Sequence, residues 1–313
     1  MIEIVFLGTS ASAPSIHRGL TSQMVMYEDS RFLIDCGEGT QRQILRSGLG
    51  FKRLNRVLLT HGHLDHILGL GGLISTFARW EAIERLEIYG GRWALERVYD
   101  LVYGVVLRGA NPPIEIDFVE VEPGVIVESD TFEVIAFPVF HRGPSLGYLF
   151  REKPRRPFLN QKAEALGVPK GPERGRLVAG ESITLDDGRV IGPEDVLGPP
   201  RRGASLAHVG DVGRTEDLVD IVAGADLLVI EATYLETEAD LARRFAHLTA
   251  AQAARLARDA DVEKLVLTHI SRRYYEKAVL EEAQSIFPNS VVARDFDHFQ
   301  VLREEVKEAT RTG

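Results

Sequence analysis

Apolar residues along the chain follow two alternating patterns. Short β-branched runs read as strands, and longer stretches with apolar positions three and four apart read as helices. The first pattern predicts strands at 2–7, 22–28, 31–35, 56–60, 86–89, 116–121, 132–138 and 146–150, and again at 205–208, 226–230, 265–268, 290–293 and 298–302. The second predicts helices near 39–48, 65–79, 92–105, 214–223, 248–259 and 275–286. The first half is strand-rich and the second alternates strand with helix. Two mixed sheets packed face to face, with helices outside, accommodate that order. No internal repeat of solenoid period interrupts it.

Residues 151–203 break the pattern. Gly, Pro and charged residues crowd REKPRRPFLNQKAEALGVPKGPERGRLVAGESITLDDGRVIGPEDVLGPPRRG, and strand signals stop before it and restart after it. A segment this long inside a domain reads as an insertion, functional or disordered, rather than a domain boundary. Phe158 and Leu159, set between basic and turn residues, point to a small structured excursion within it.

Composition narrows the class. Of 313 residues, 44% are hydrophobic and 27% charged, which excludes a mainly disordered or fibrous chain. The single cysteine, Cys36, cannot form an intramolecular disulfide and fits a reducing compartment. The opening MIEIVFLGTS lacks a basic segment followed by a long apolar one, and no apolar run approaches the roughly 20 residues of a membrane helix. The expectation is a soluble, cytoplasmic protein without a membrane partner. With 37 Lys and Arg against 46 Asp and Glu, the net charge of −9 disfavours indiscriminate nucleic-acid binding, and no DNA partner is expected. That charge is polarised, however. Residues 151–176 hold eight basic and three acidic side chains, a net +5, leaving −14 for the rest. An acidic body with a basic insertion remains compatible with RNA.

The sharpest chemical signal is Thr60-His61-Gly62-His63-Leu64-Asp65-His66, directly after an apolar strand. In extended backbone, residues two apart point to the same side, so His61 and His63 can converge on one metal. If the chain then turns into a helix near Asp65, Asp65 and His66 can meet a second metal beside it. Imidazoles and carboxylates without thiolates suit a catalytic zinc-type ion with open positions. Further ligand candidates follow other apolar runs: His141 after FEVIAFPVF, Asp211 after SLAHVG, and His269 after KLVLT. A carboxylate such as Asp211 could bridge two ions roughly 3.5–4 Å apart.

The run HGHLDH, with isolated His, Asp and His at these intervals, resembles the metallo-β-lactamase superfamily. Further stretches resemble one branch of it, the ribonuclease Z family of tRNA 3′-processing endonucleases. They are FLGTSASAPSIHRG, IEAT (Ile230–Thr233), AHLT (Ala246–Thr249), LTHISRRY (Leu267–Tyr274) and the insertion, which looks like the family's exosite arm. The likeness spans residues 2–302. It implies a mixed α/β (α+β) fold: a single domain over 1–313, built as a four-layer αβ/βα sandwich. Its inserted basic, Gly/Pro-rich arm at 151–203 would bind tRNA.

The resemblance also assigns roles. His61, His63 and His141 would hold one metal and Asp65, His66 and His269 the other, with Asp211 bridging. The cofactors implied are two zinc ions per subunit, with manganese or another divalent ion an alternative. Asp65 would orient or deprotonate the attacking water, and His247, supported by Glu231, would donate a proton or contact phosphate. Ser271, Arg272 and Arg273 are candidate phosphate contacts, or equally a solvated basic turn. Arg155, Arg156, Lys170 and Arg174 are candidate arm contacts. Three departures stand out: Ile230 where the family motif has His, Leu248 where it has Ser, and GDVGRT after Asp211 in place of a GDT-type run. The implied activity is metal-dependent hydrolysis that removes the 3′ trailer from precursor tRNA and leaves a 3′-hydroxyl. The implied assembly is a homodimer. The rival reading is a small-molecule phosphodiesterase or arylsulfatase-like hydrolase on the same fold, which would have no use for a long basic arm.

Overall fold

Strand formation follows the β-branched runs closely. A computed structural model describes residues 1–80, 83–110 and 114–309. Among these, the strands in chain order are β1 (Ile2–Gly8), β2 (Ser22–Tyr27), β3 (Ser30–Ile34), β4 (Arg56–Leu58), β5 (Arg85–Gly90) and β6 (Glu115–Glu120). Next come β7 (Gly124–Glu128), β8 (Phe132–His141), β9 (Gly143–Glu152), β10 (Ile183–Thr184) and β11 (Val190–Ile191). The last are β12 (Ser205–His208), β13 (Leu227–Glu231), β14 (Lys264–Thr268), β15 (Ser290–Val292), β16 (His298–Leu302) and β17 (Glu305–Ala309).

They assemble into one sheet ordered β17-β16-β1-β2-β3-β4-β5-β6, a second ordered β15-β14-β13-β12-β9-β8-β7, and the small pair β10-β11. Phe6, Phe32 and Phe299 of the first large sheet interdigitate with Tyr148, Phe150 and Val229 of the second in a buried core. The outer face of the first sheet is covered by the helices Thr40–Arg46, Gly69–Trp80 and Arg92–Tyr99. That of the second is covered by Ala250–Asp259 and Glu276–Gln284. The result is a mixed α/β, four-layer sandwich, as the sequence and its resemblance indicate.

Several local expectations needed correction. Strands β7 and β17 lie at sheet edges and carry too many exposed positions to show a two-residue alternation, so the apolar pattern missed both. The helix expected over 214–223 shrinks to Val219–Val222, because Arg214 and Asp217 pair in the turn before it. The helix expected over 65–79 breaks at Leu68 into Leu64–Ile67 and Gly69–Trp80. Helix Ala239–Phe245 was not anticipated. Beyond Tyr99 the chain continues as a π-helix, Asp100–Leu107.

Contacts divide the chain into two units, Met1–Arg151 with Ala204–Gly313, and Glu152–Gly203. The smaller unit has its own buried cluster: Ala163, Leu177 and Val196 from the short helices Asn160–Ala165, Pro172–Val178 and Pro193–Val196, Ile183 and Ile191 from the β10-β11 hairpin, and Val168 and Leu197 from the segments after helices. Two arginines staple it. The Arg174 guanidinium donates to Asn160 Oδ1 and to the Pro169 and Val168 carbonyls, and lies 5.6 Å from the Phe158 ring. Arg156 donates to Glu194 and to the Gly198 and Leu197 carbonyls.

One topological fact governs the larger unit's chemistry. β3, β4 and β5 run parallel, as do β12, β13 and β14, so the carboxyl ends of each set lie at one edge. Polar groups gather at such edges in open α/β sheets.

Candidate metal centre

Each ligand candidate leaves the end of a strand. β4 continues as Leu59-Thr60 and then delivers His61 and His63, the latter capping the short helix that carries Asp65 and His66. His141 ends β8, Asp211 lies three residues beyond β12, and His269 follows β14 with a left-handed φ of 54°. One donor atom from each of His61, His63, His141 and Asp211 falls within a 4.8 Å cluster. Asp65, His66 and His269 form a second such cluster, and Asp211 joins a third with His247 and His269. Asp211 Oδ2 lies 3.4 Å from both His66 Nε2 and His269 Nε2, 3.8 Å from His61 Nε2 and 4.0 Å from His141 Nε2. It therefore stands between the two groups.

The outer ring nitrogens decide which way each imidazole offers its lone pair. His66 Nδ1–H donates to Asp35 Oδ2 at 2.7 Å. Thr60 donates its hydroxyl to the same Asp35 oxygen at 2.7 Å, so Thr60 Oγ1 accepts from His61 Nδ1–H at 3.0 Å. His141 Nδ1–H donates to the Ala246 carbonyl at 2.7 Å. Thr233 donates to Glu231 Oε2 at 2.5 Å and accepts from His269 Nδ1–H at 2.9 Å. All four rings thus direct Nε2 inward, the arrangement that orients histidines on a metal. His63 alone presents Nδ1, 2.8 Å from His61 Nε2 and 3.4 Å from His141 Nε2.

Protonation agrees with that geometry. Burial pushes His61 well below its ordinary value and His63 down to about 4, and lowers His141 against the pull of Asp211. These are neutral imidazoles, the form that ligates cations. Burial would raise Asp211 and Asp65, but the surrounding imidazoles, His269 and His66 foremost, hold both well below the usual carboxylate range. Burial would lower His66, yet Asp211 and Asp35 drive it well above its ordinary value. The site gathers negative charge and asks for positive charge in return.

Three buried polar atoms at the centre have no hydrogen-bond partner among the described residues: His66 Nε2, His269 Nε2 and Asp211 Oδ1. Unpartnered buried donors and acceptors are costly. Their convergence with imidazole nitrogens and ionised oxygens fits divalent-cation binding in chemistry and orientation.

Beside the ligands stands a second pair. His247 Nδ1 lies 2.8 Å from Glu231 Oε1, and the His247 ring stacks 5.4 Å from that of His269. Burial would lower the His247 imidazole, but the fully buried Glu231 carries it up to about 9. Ser271 accepts a hydrogen bond from Arg273 N, and the Arg273 guanidinium pairs with Glu238 at 2.7 Å. In the smaller unit, Arg155 and Lys170 are exposed and lie 3.7 Å from Glu152 and 3.9 Å from Glu164, whereas Arg156 and Arg174 spend their donors inside the unit.

Curated proteins resemble the chain over almost its whole length. It is 47% identical over 302 residues to a ribonuclease Z of Bradyrhizobium diazoefficiens, spanning 96% of this chain and 100% of that one. The chain belongs to the ribonuclease Z family. A second member, from Archaeoglobus fulgidus, is 40% identical over 309 residues, covering 97% of this chain and 99% of its own. Residues 196–270 match the profile described as Beta-lactamase superfamily domain, and residues 2–121 that described as Anti-Pycsar protein Apyc1. Among solved structures, the short form of human tRNase Z superposes with a TM-score of 0.68 at 25% identity, covering 95% of this chain and 98% of that one. A metallo-β-lactamase fold protein, YhfI of Bacillus subtilis, gives 0.66 at 16% identity over 98% and 99% of the two chains, a likeness of fold alone. Membership in the ribonuclease Z family makes the chain an enzyme of the hydrolase class.

Its departures from the family motifs are local. Ile230 and Leu248 are fully buried in the apolar layer beneath the site. The run after Asp211 is tied down by Val212 N, which donates to Glu231 Oε1 at 2.8 Å. Sequence reasoning missed Asp35 and Thr233, which orient ligands without being among the candidates. Asp35 had the same signature as Asp211, a carboxylate directly after an apolar run, but no neighbouring histidine drew attention to it.

Proposed function

We propose that this enzyme is a zinc-dependent endoribonuclease that removes the 3′ trailer from precursor tRNA. One observation carries the reading: Asp211, a member of the His61/His63/His141 cluster, lies 3.4 Å from both His66 and His269 of the other, beside the His247–Glu231 pair. His61, His63 and His141 would hold one cation and Asp65, His66 and His269 the other, with Asp211 placed to serve both. Divalent ions there, zinc or manganese, would supply Lewis acidity toward a phosphodiester oxygen and lower the pKa of the attacking water.

The chain's own groups do the rest. Asp65 accepts a hydrogen bond from Ser12 N at 3.0 Å and is placed to orient the attacking water and take its proton. His247, kept protonated by Glu231, hydrogen-bonds the phosphate and gives its proton to the departing 3′ oxygen. Water oxygen bonds to phosphorus, passing a proton to Asp65, as the P–O3′ bond breaks. The tRNA keeps a 3′-hydroxyl and the trailer a 5′-phosphate.

The body is one catalytic domain, and the 151–203 arm binds tRNA through exposed cations such as Arg155 and Lys170. Arg156 and Arg174 maintain the arm's shape around those contacts, and Ser271 and Arg273 meet phosphate near the site. Among the described residues no helix is long and apolar enough to cross a membrane. A cytoplasmic homodimer, with one subunit's arm gripping tRNA cut by the other, completes the proposal, and the mass in solution tests it. Incubation with a trailer-bearing precursor tRNA, with product ends mapped, tests the reaction.

A further inference from the structure

Three short segments meet at the rim of the centre. Gly213 N donates to the Phe140 carbonyl at 2.6 Å, and His141 Nδ1 donates to the Ala246 carbonyl at 2.7 Å. Gly213 has no room for a side chain, since a Cβ there would lie 3.0 Å from both Cα and Cβ of Ala246. Phe140–Arg142, Gly213–Arg214 and Arg244–His247 are therefore locked together, and two of the three include a residue of the site.

Outward from His141 and His247, these segments carry aromatic rings and arginines. Phe140 is 51% exposed, with the Arg214 guanidinium 4.5 Å from its ring centroid. Phe245 has two guanidinium groups over it, those of Arg142 and Arg244, each 5.5 Å from its centroid. Arg214 is neutralised by Asp217 at 2.6 Å. Arg142 and Arg244 are exposed and make no ion pair with any described residue.

Two uncompensated cations on one ring are unusual on a body whose charge is strongly negative. Cation–π contact with Phe245 holds both guanidinium groups in place at little entropic cost. An exposed phenyl face next to free cations matches unpaired RNA, whose bases need flat partners and whose phosphates need positive charge. A duplex offers no such faces. The strand can also be named. His247 gives its proton to the oxygen that stays on the tRNA, and Phe245 and Arg244 lie two and three residues before His247.

We infer that Phe140, Arg142, Arg244 and Phe245 form a subsite for the unpaired 3′ end of the tRNA body, immediately upstream of the scissile phosphate. Arg142 and Arg244 bind two backbone phosphates, and the half-exposed Phe140 ring stacks a base beside them. The inference rests on the tRNA reading above and deepens it.

The double variant Arg142→Ala/Arg244→Ala tests it, compared with wild type and with Arg243→Ala, whose guanidinium pairs with Asp240 on the same helix. kcat and KM are measured over a range of salt on two precursor tRNAs, one with a long trailer and one with a single-nucleotide trailer. Metal content confirms that the centre is formed. The subsite predicts a KM roughly tenfold higher at low salt on both substrates, and a salt slope of log kcat/KM shallower by about 1.4 for two single-strand phosphates. Arg142→Lys/Arg244→Lys should restore the slope, and Arg243→Ala should match wild type. Wild-type KM and slope in the alanine variant would overturn the subsite. A rise confined to the long trailer would also overturn it, by assigning the rim to the other strand. Wild-type enzyme that left precursor tRNA intact would instead overturn the substrate reading, before any variant was compared.

Discussion

His66 Nδ1 lies 2.7 Å from Asp35 Oδ2, and both side chains are fully shielded from solvent. Asp35 also receives the Thr60 hydroxyl and the Thr60 N–H, the latter at 2.8 Å, and adopts a left-handed φ of 55° to reach them. Through Thr60 it also fixes His61. One carboxylate thus aims a ligand of each cluster.

Asp35→Ala should therefore weaken metal binding by roughly 10- to 100-fold, the usual cost of losing a group that orients a ligand. Chelator competition measures it, with circular dichroism confirming the fold. Unchanged affinity would mean that His61 and His66 are held by packing alone.

The His247–Glu231 pair makes a pH prediction. The raised His247 value keeps the imidazolium through neutrality, and the proton is lost as pH rises through about 9. Glu231→Gln removes the charge that raises it. The alkaline limb of the kcat profile should move to lower pH, and kcat at pH 8 should fall by about 10- to 100-fold, within the range of general-acid catalysis. An unshifted limb would show that His247 is not the acid.

The arm can be removed without stretching the body, because Arg151 and Ser205 are paired neighbours on β9 and β12. Deleting residues 152–202 should lower kcat/KM on precursor tRNA by roughly 100-fold, through the lost phosphate contacts. Turnover of a small chromogenic phosphodiester should persist. Equal losses on both substrates would favour the small-molecule hydrolase reading.

Gly69 opens the helix behind the metal motif, and its N–H donates to the Cys36 carbonyl at 2.8 Å. A Cβ there would sit 2.0 Å from the Gly37 carbonyl oxygen. Gly69→Ala should push the segment after Asp35 outward and cost about 1–3 kcal/mol, as overpacking does. The denaturation midpoint reads it, and an unchanged midpoint would show that this contact yields easily.

The sheets and most helices were legible because their apolar periods are strong where both faces of a strand, or one stripe of a helix, are buried. β7, β17 and helix Ala239–Phe245 were not, since their exposed positions carry no such period. All seven ligand candidates come together because a strand end displays a side chain as predictably as a strand buries one. Asp35 and Thr233 escaped because their task is defined by contacts across 31 and 36 residues of chain, and spacing does not encode these. The arm's composition announced an insertion but hid its small core, whose residues are spread among glycines, prolines and charges.

Incubating the metal-loaded enzyme with a precursor tRNA bearing a 3′ trailer, and mapping both new ends, decides whether this centre processes tRNA. A single cut that leaves a 3′-hydroxyl on the tRNA and a 5′-phosphate on the trailer is the expected result. An intact precursor, in a preparation that hydrolyses a small phosphodiester, would contradict it.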